Sequence, residues 1–325
     1  MHTGQDTSNN YFFFSPNIVQ YSYNFAEEDY IMKLIKKGNI LLLVTAAIWG
    51  FAFVAQSSAM EHIGPFTFQA VRFLLGATVL LPVILVRSKR GAFVGDKKSM
   101  WIGGVLCGIT LFIASSFQQM GIALGASTGK AGFITAMYII IVPILGIFLK
   151  KKVSIRIWIC AIVAVIGLYF LSVKDGFRIE KYDILLLMGA LAFSAQIMLV
   201  DYYVPKTDCV GLSAVQFLVT GIMSVVAMLI TEHPEMNAIA SAWQPVLYGG
   251  ILSCGVAYTL QVVGQKYTTP GEASIIMSME SPFALLGGMM LLGQIPQYRE
   301  WIGIGLMFVA IIVSQIKNDN IGDTR

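Results

Sequence analysis

The chain of 325 residues is 56% hydrophobic and only 12% charged, with a mean hydropathy of +0.73. A water-soluble domain is about half apolar and about a quarter charged, so most of this chain is solvated by lipid. Its net charge of +4 is not a nucleic-acid signature, because most of the basic residues sit in short loops beside apolar runs.

Residues 1–31 differ from the rest: they are rich in Asn, Ser, Tyr and Phe, and their only charges are acidic. Phe12 to Phe14 is too short to span a bilayer or to form a signal-peptide core. At Met32 the text changes to Met-Lys-Leu-Ile-Lys-Lys-Gly-Asn, a natural cytoplasmic start before a first span. Residues 1–37 are expected to be a cytoplasmic tail, with 1–31 disordered or upstream of the true initiator.

A hydrocarbon core about 30 Å thick needs about 20 apolar residues as helix. Ten segments qualify, near 38–60, 65–86, 101–123, 127–149, 153–172, 183–204, 211–231, 243–266, 270–293 and 299–317. Short connections make neighbouring spans antiparallel, and an even number puts both termini on one side. Lys33, Lys36 and Lys37 precede the first span. Arg87, Lys89, Arg90, Lys97 and Lys98 occupy the next loop on that side, and Lys150, Lys151, Lys152 and Arg156 the one after. These mark the cytoplasmic face by the positive-inside rule.

The chain also repeats itself. Ala-Val-Arg-Phe-Leu-Leu-Gly-Ala at 70–77 returns as Ala-Val-Gln-Phe-Leu-Val-Thr-Gly at 214–221, with Arg72 replaced by Gln216. Leu42 matches Leu186 at that spacing, Gly121 matches Gly264, Trp158 matches Trp301, and Lys130 matches Glu272 with slight slippage. The second-half counterparts of the basic loops carry only Arg299. Loops that are basic in one half and bare in the other imply opposite insertion. The expected fold is therefore all-α and membrane-integral, with ten transmembrane helices as two inverted five-helix repeats around a central cavity. The repeats are 38–172 and 183–317, joined by an external linker at 173–182 and followed by a cytoplasmic tail at 318–325.

Catalytic and cofactor chemistry finds little support. His2, His62 and His233 lie outside the spans, no aspartate pair faces across them, and no glycine fingerprint for a cofactor occurs. The four cysteines lack metal-like spacing and read as packing residues. No enzyme, metal or cofactor is expected.

Glu280 is the main polar anomaly. About ten residues into the ninth span, it lies about 15 Å deep, where a charge costs at least about 2.5–3.5 kcal/mol. Two readings stay open: a protonatable or substrate-contacting group, or a structural acid held by hydroxyls and helix-end amides. Its repeat counterpart is Tyr138, and the pair marks the centre of a candidate binding site. Arg72 either orients its helix by snorkelling or meets a substrate carboxylate or counter-ion. Lys130, near an external helix end, and Lys266 and Glu272, at an internal turn, read as gate or interfacial residues. Gly250, Cys254, Tyr258, Gln261 and Gln265 share a helical face, and Ser115 and Gln118 repeat the Tyr258 and Gln261 positions. Such a stripe lines an aqueous path or bonds a neighbouring helix. Trp49, Gln56 and Gln196 are further candidates.

These residues resemble the drug/metabolite transporter superfamily, specifically its EamA-like branch. The resemblance spans about 38–317 and rests on Ala-Ile-Trp-Gly-Phe-Ala-Phe-Val (47–54), the 70–77 run, Gly-Lys-Ala-Gly-Phe-Ile-Thr-Ala-Met-Tyr (129–138) with Pro143, and Met-Glu-Ser-Pro-Phe-Ala-Leu-Leu-Gly (279–287). It implies spans one to four and six to nine around the cavity, with the fifth and tenth peripheral. Export or exchange of small metabolites by alternating access is also implied, with Arg72 and Glu280 at matching family positions. Family members often carry Pro directly after the Glu; here Ser281 precedes Pro282.

The expected function is secondary active transport of amino acids or related metabolites, as export across the inner membrane, with both termini cytoplasmic. Its expected partners are a small-molecule substrate, the lipid bilayer, and protons or a counter-substrate. The alternative is a flippase-like lipid-carrier protein or a non-transporting membrane scaffold.

Overall fold

The structure, a computed structural model, describes residues 16–172, 180–293 and 295–316. Residues 1–15, most of the 173–182 linker and the 318–325 tail lie outside the described residues. Within them every regular element is helical: α1 Pro16–Ala59, α2 Pro65–Lys89, α3 Lys97–Ala123, α4 Thr128–Thr135, α5 Tyr138–Phe148, α6 Ile155–Ser172, α7 Lys181–Tyr203, α8 Cys209–Thr231, α9 Met236–Ser241, α10 Trp243–Leu247, α11 Thr259–Gln265, α12 Pro270–Met277, α13 Glu280–Leu292 and α14 Tyr298–Ser314. A π-helix, Tyr248–Tyr258, joins α10 to α11. Helix α1 already includes residues upstream of Met32, from Pro16 on.

Eight of the resulting rods are long and apolar enough to cross a membrane. The expected spans at 153–172 and 299–317 are shorter as helices. Helix α6 has 18 residues and α14 has 17, which gives each about 26 Å of rise. They pack along one another. Trp101, Trp243 and Trp301 stand half-exposed at the starts of α3, α10 and α14, the places where amphipathic rings settle at a lipid–water boundary.

Local chemistry sets the helix ends. Asp96 caps α3 by accepting from Ser99 N at 2.8 Å and Lys98 N at 3.2 Å, and the hydrogen bonds from Ser99 hold its carboxyl below the usual carboxylate range. Ser127 caps α4, Asp208 caps α8, and Thr269 and Glu272 form a reciprocal box on α12. Helix α2 has only Gly64 at its N-cap. Its free amides are met from a distance: Glu232, just past α8, accepts from Phe66 N and Thr67 N, each at 2.8 Å. A Cβ on Gly64 would lie 2.3 Å from the Glu232 carboxyl carbon, so a side chain there would push this carboxyl off the amides it caps.

Two rods are broken at corresponding points. Between α4 and α5, Ala136 and Met137 have ψ of −4° and −12°; between α12 and α13, Ser278 and Met279 have ψ of −13° and −10°. Both joints are tightened by i→i+3 bonds such as Met137 N to Ile134 O and Met279 N to Ile276 O. Pro282 explains the second joint: it supplies no N–H to Ser278 O, which accepts from Ser281 N instead. The first joint has Ile140 at the corresponding place, and Pro143 acts a turn later.

Contacts recur in pairs across the halves. Helix α1 packs on α12, α13 and the α10–α11 rod, while α7 packs on α4, α5 and α3. Helices α2 and α8 pack on each other, with Phe73 and Phe217 6.3 Å apart by ring centroids. A Cβ on Gly121 would meet Leu186 at 2.8 Å, and one on Gly264 would meet Leu42 at 2.8 Å. The upper end of the bundle carries the turns at 60–64 and 124–127 and the start of α7; the lower end carries the loops at 90–96, 149–154, 204–208 and 266–269.

Candidate functional site

The breaks place Tyr138 and Glu280 at the first residues of α5 and α13, and there they meet. Tyr138 Oη donates to Glu280 Oε1 at 2.9 Å, with both side chains buried. The approach of α1 to this point is close: a Cβ on Gly50 would fall 2.7 Å from the Glu280 carbonyl oxygen.

Beside this pair is a cavity of about 30 Å³. It is lined by Trp49, Phe53 and Gln56 of α1, Arg72 of α2, Gln118 of α3, Thr135 and Tyr138 of the broken rod, Phe193 of α7, Ser253 and Tyr258 of the π-helix, and Glu280. That volume holds one or two waters and is far below the about 300 Å³ of a small-molecule pocket. Most of its lining comes from the middle and upper parts of the rods.

Arg72 is 2% exposed. Its guanidinium lies 5.0 Å from the Phe68 ring centroid and 4.8 Å from that of Phe73, a cation–π setting. Among the described residues it has no ion pair, and its Nε has no hydrogen-bond partner. A buried guanidinium that borders a cavity and makes no direct ion pair among the described residues is suited to an anionic group arriving from outside the protein. Around it, Trp49 Nε1 donates to Ser253 O at 3.3 Å, the Trp49 and Tyr258 rings stand 4.5 Å apart, and Gln118 Nε2 donates to Thr135 Oγ1 at 3.1 Å.

The structure thus gathers Glu280, Tyr138, Arg72, Tyr258, Gln118 and Trp49 around one space. Ser115, Gln196 and Gln261 lie apart from it. Ser115 is buried against Gln69 and donates to Leu111 O at 2.7 Å. Gln261 Nε2 donates to Gln196 Oε1 at 3.1 Å and to Gln265 Oε1 at 3.0 Å, below the cavity. The three residues read as gate or interfacial positions stand at the ends. Lys130 pairs with Asp183 at 2.8 Å at the upper end, Glu272 pairs with Arg156 at 3.6 Å at the lower end, and Lys266 is exposed at the C-cap of α11.

The EamA-like transporter family matches residues 36–173 and again residues 180–315. The chain belongs to the EamA-like transporter family. An uncharacterized transporter of Archaeoglobus fulgidus is 30% identical over 278 residues, 85% of each chain. The uncharacterized transporter YwfM of Bacillus subtilis is 27% identical over 85% of this chain and 94% of its own. A solved crystal structure superposes with a TM-score of 0.72 at 16% identity, covering 86% of this chain and 97% of that one, a likeness of fold. The protein is thus a multi-span membrane protein of a transporter family, whose partners are small molecules and membrane lipid.

In this EamA-like chain the sequence pattern did not single out Phe53, Thr135, Phe193 or Ser253. Phe53 and Phe193 are apolar residues in apolar rods, with nothing in the pattern to separate them from packing. Thr135 lies just before the break, on the face of Tyr138 three residues on. Ser253 and Tyr258 are five residues apart, a spacing that an α-helical pattern sends to different faces but the i→i+5 bonding of a π-helix brings together.

Proposed function

We propose that this protein is a secondary active transporter exporting amino acids or related small metabolites across the inner membrane by alternating access. The observation that carries the reading is the mid-depth cavity where Glu280 and Tyr138 meet beside the unpaired Arg72. Discontinuous helices that end at such a point recur in secondary transporters. The cavity is too small to admit a metabolite without movement, as an occluded stage of a cycle requires. Arg72 would take the anionic end of the solute, and Glu280 would couple its binding to a proton or a counter-substrate. No nucleotide-binding motif is present in the sequence, so a gradient or exchange would supply the energy.

The same reading has ten spans, with α6 and α14 as the fifth and tenth, in two inverted repeats. Three features support it. The packing pairs recur across the halves, and the Gly121–Leu186 contact is mirrored by Gly264–Leu42. Among the described residues, four cross-helix ion pairs join ends that ten alternating spans put on one side: Arg87 to Asp208, Lys151 to Asp201 and Arg156 to Glu272 below, Lys130 to Asp183 above. The lower loops are the basic ones, so the lower end with both termini is read as cytoplasmic. A lining drawn from both halves suits a small solute better than a lipid path opening sideways.

The test is flux of a labelled amino-acid mixture in proteoliposomes under an imposed pH gradient. Glu280→Gln should lose pH-driven flux while the protein stays folded. Full transport by that variant with an unchanged pH dependence would remove Glu280 from coupling, and absence of flux in the parent under any gradient or exchange condition would remove the amino-acid reading.

A further inference from the structure

Below the cavity, α7, α8 and α11 converge on four glutamines. Gln196 Nε2 donates to Gln216 Oε1 at 3.3 Å, Gln261 Nε2 to Gln196 Oε1 at 3.1 Å and to Gln265 Oε1 at 3.0 Å, and Gln265 Nε2 to Ile197 O at 3.0 Å. All four are buried. Two amide atoms nevertheless remain unpartnered: Gln216 Nε2 and Gln261 Oε1. An unmet buried amide group costs about 1–3 kcal/mol, which a permanently dry helix contact could avoid with apolar residues of the same size.

The positions of these residues in the repeat are informative. Gln261 corresponds to Gln118, which borders the cavity, and Gln216 corresponds to Arg72, which borders it too. Above the midpoint the two equivalents face open space; below it they are locked together. A neutral amide can enter such a seal. A guanidinium in the same place would bury a charge without a partner.

We propose that Gln196, Gln216, Gln261 and Gln265 form the inner gate of the solute path. Bonded to one another, they seal the cavity from the lower, cytoplasmic end; parted, they line the wet lower half of the path, where water satisfies the two orphaned amide atoms. The neutral residue at 216 lets this gate close without desolvating a charge, which accounts for the loss of the repeat's arginine in the second copy. The inference rests on the alternating-access reading and adds to it the residues that close one side.

The experiment is side-specific thiol labelling of Gln261→Cys in membrane vesicles, using a membrane-impermeant maleimide on one face at a time, with the parent protein and its four native cysteines as the baseline. A gate that opens as a minor state should label from the cytoplasmic face at about 0.1–10% of the rate in unfolded protein, the usual population of such a state. It should not label from the other face. A side chain exposed only by global unfolding would label at about 10⁻⁴ of that rate or less; labelling that slow, or labelling from the outer face alone, overturns the proposal. If Gln261→Cys does not fold, Gln196→Cys is read in the same way. Flux of the labelled amino-acid mixture, measured in parallel, separates the two ideas. Flux without cytoplasmic labelling keeps transport and discards the gate, whereas cytoplasmic labelling without flux keeps the opening of the lower cluster and discards amino acids as the solute.

Discussion

Gln118 and Gln261 hold equivalent places in the two halves of the chain, yet one borders a cavity and the other is tied to Gln196 and Gln265. Arg72 and Gln216 show the same division. The upper member carries an unpaired charge beside open space, and the lower is a neutral amide inside a closed cluster. Similar backbone positions therefore meet different environments. The difference teaches that the side chains, rather than the helices, decide where the bundle keeps a cavity and where it closes.

The comparison breaks most strongly if the charge is moved. Gln216→Arg gives the lower half the residue of the upper one and should cost about 3 kcal/mol, the scale of an arginine at mid-membrane. It should appear as a lower thermal midpoint, with the inner side held open to thiol reagents. Gln216→Leu seals by packing and should stay within about 1.5 kcal/mol of the parent. If Gln216→Arg unfolds at the same temperature as the parent, the lower cluster is not dry.

The reverse exchange removes the charge from the upper half. Arg72→Gln should weaken binding of a carboxylate-bearing solute about 10- to 100-fold, since a hydrogen bond to a charged group is worth about 1.5–3 kcal/mol. Calorimetric or scintillation-proximity titration of the labelled amino-acid mixture reads this directly. Unchanged affinity would return Arg72 to a purely orienting role. Tyr138→Phe is a milder probe, because it removes the 2.9 Å bond to Glu280 and little volume. It should lower stability by about 1–3 kcal/mol if the carboxyl group is left unsatisfied, and less if water enters from the cavity.

How much of this could be read beforehand depended on the type of signal. Hydropathy and loop charge are summed over many residues, so the helical membrane class came through clearly. The pairing of Tyr138 with Glu280 was legible because two polar groups stood at one repeat position in apolar surroundings. The fate of the glutamine stripe was not legible. Gln118 and Gln261 share a helical register with Ser115 and Tyr258, and register alone does not say whether an amide faces space or a neighbouring amide. That depends on which side of the bundle is closed. Ser253 was hidden for a different reason, since a π-helical turn changes which residues share a face.

The smallest expected effects are at the two ends of the α2–α8 pair, and they sharpen the comparison best because their signs should differ. At the upper end Glu232 caps α2 through Phe66 N, Thr67 N and, at 2.6 Å, Thr67 Oγ1. At the lower end Asp208 caps α8 through Gly211 N at 3.0 Å and also holds Arg87. Each staple ties the same two helices, so loosening one end should favour the state that opens there. Arg87→Ala removes a partly exposed ion pair worth about 0–1 kcal/mol, and cytoplasmic labelling of Gln261→Cys should rise by up to about five-fold. Glu232→Ala removes a cap worth about 1 kcal/mol from the opposite end and should lower that labelling by a similar factor, while raising access to Ser253→Cys from the other face. If both substitutions shift labelling in the same direction, the ends act as general stability and not as opposed latches, and the difference between the two halves of the path lies wholly in the side chains between them.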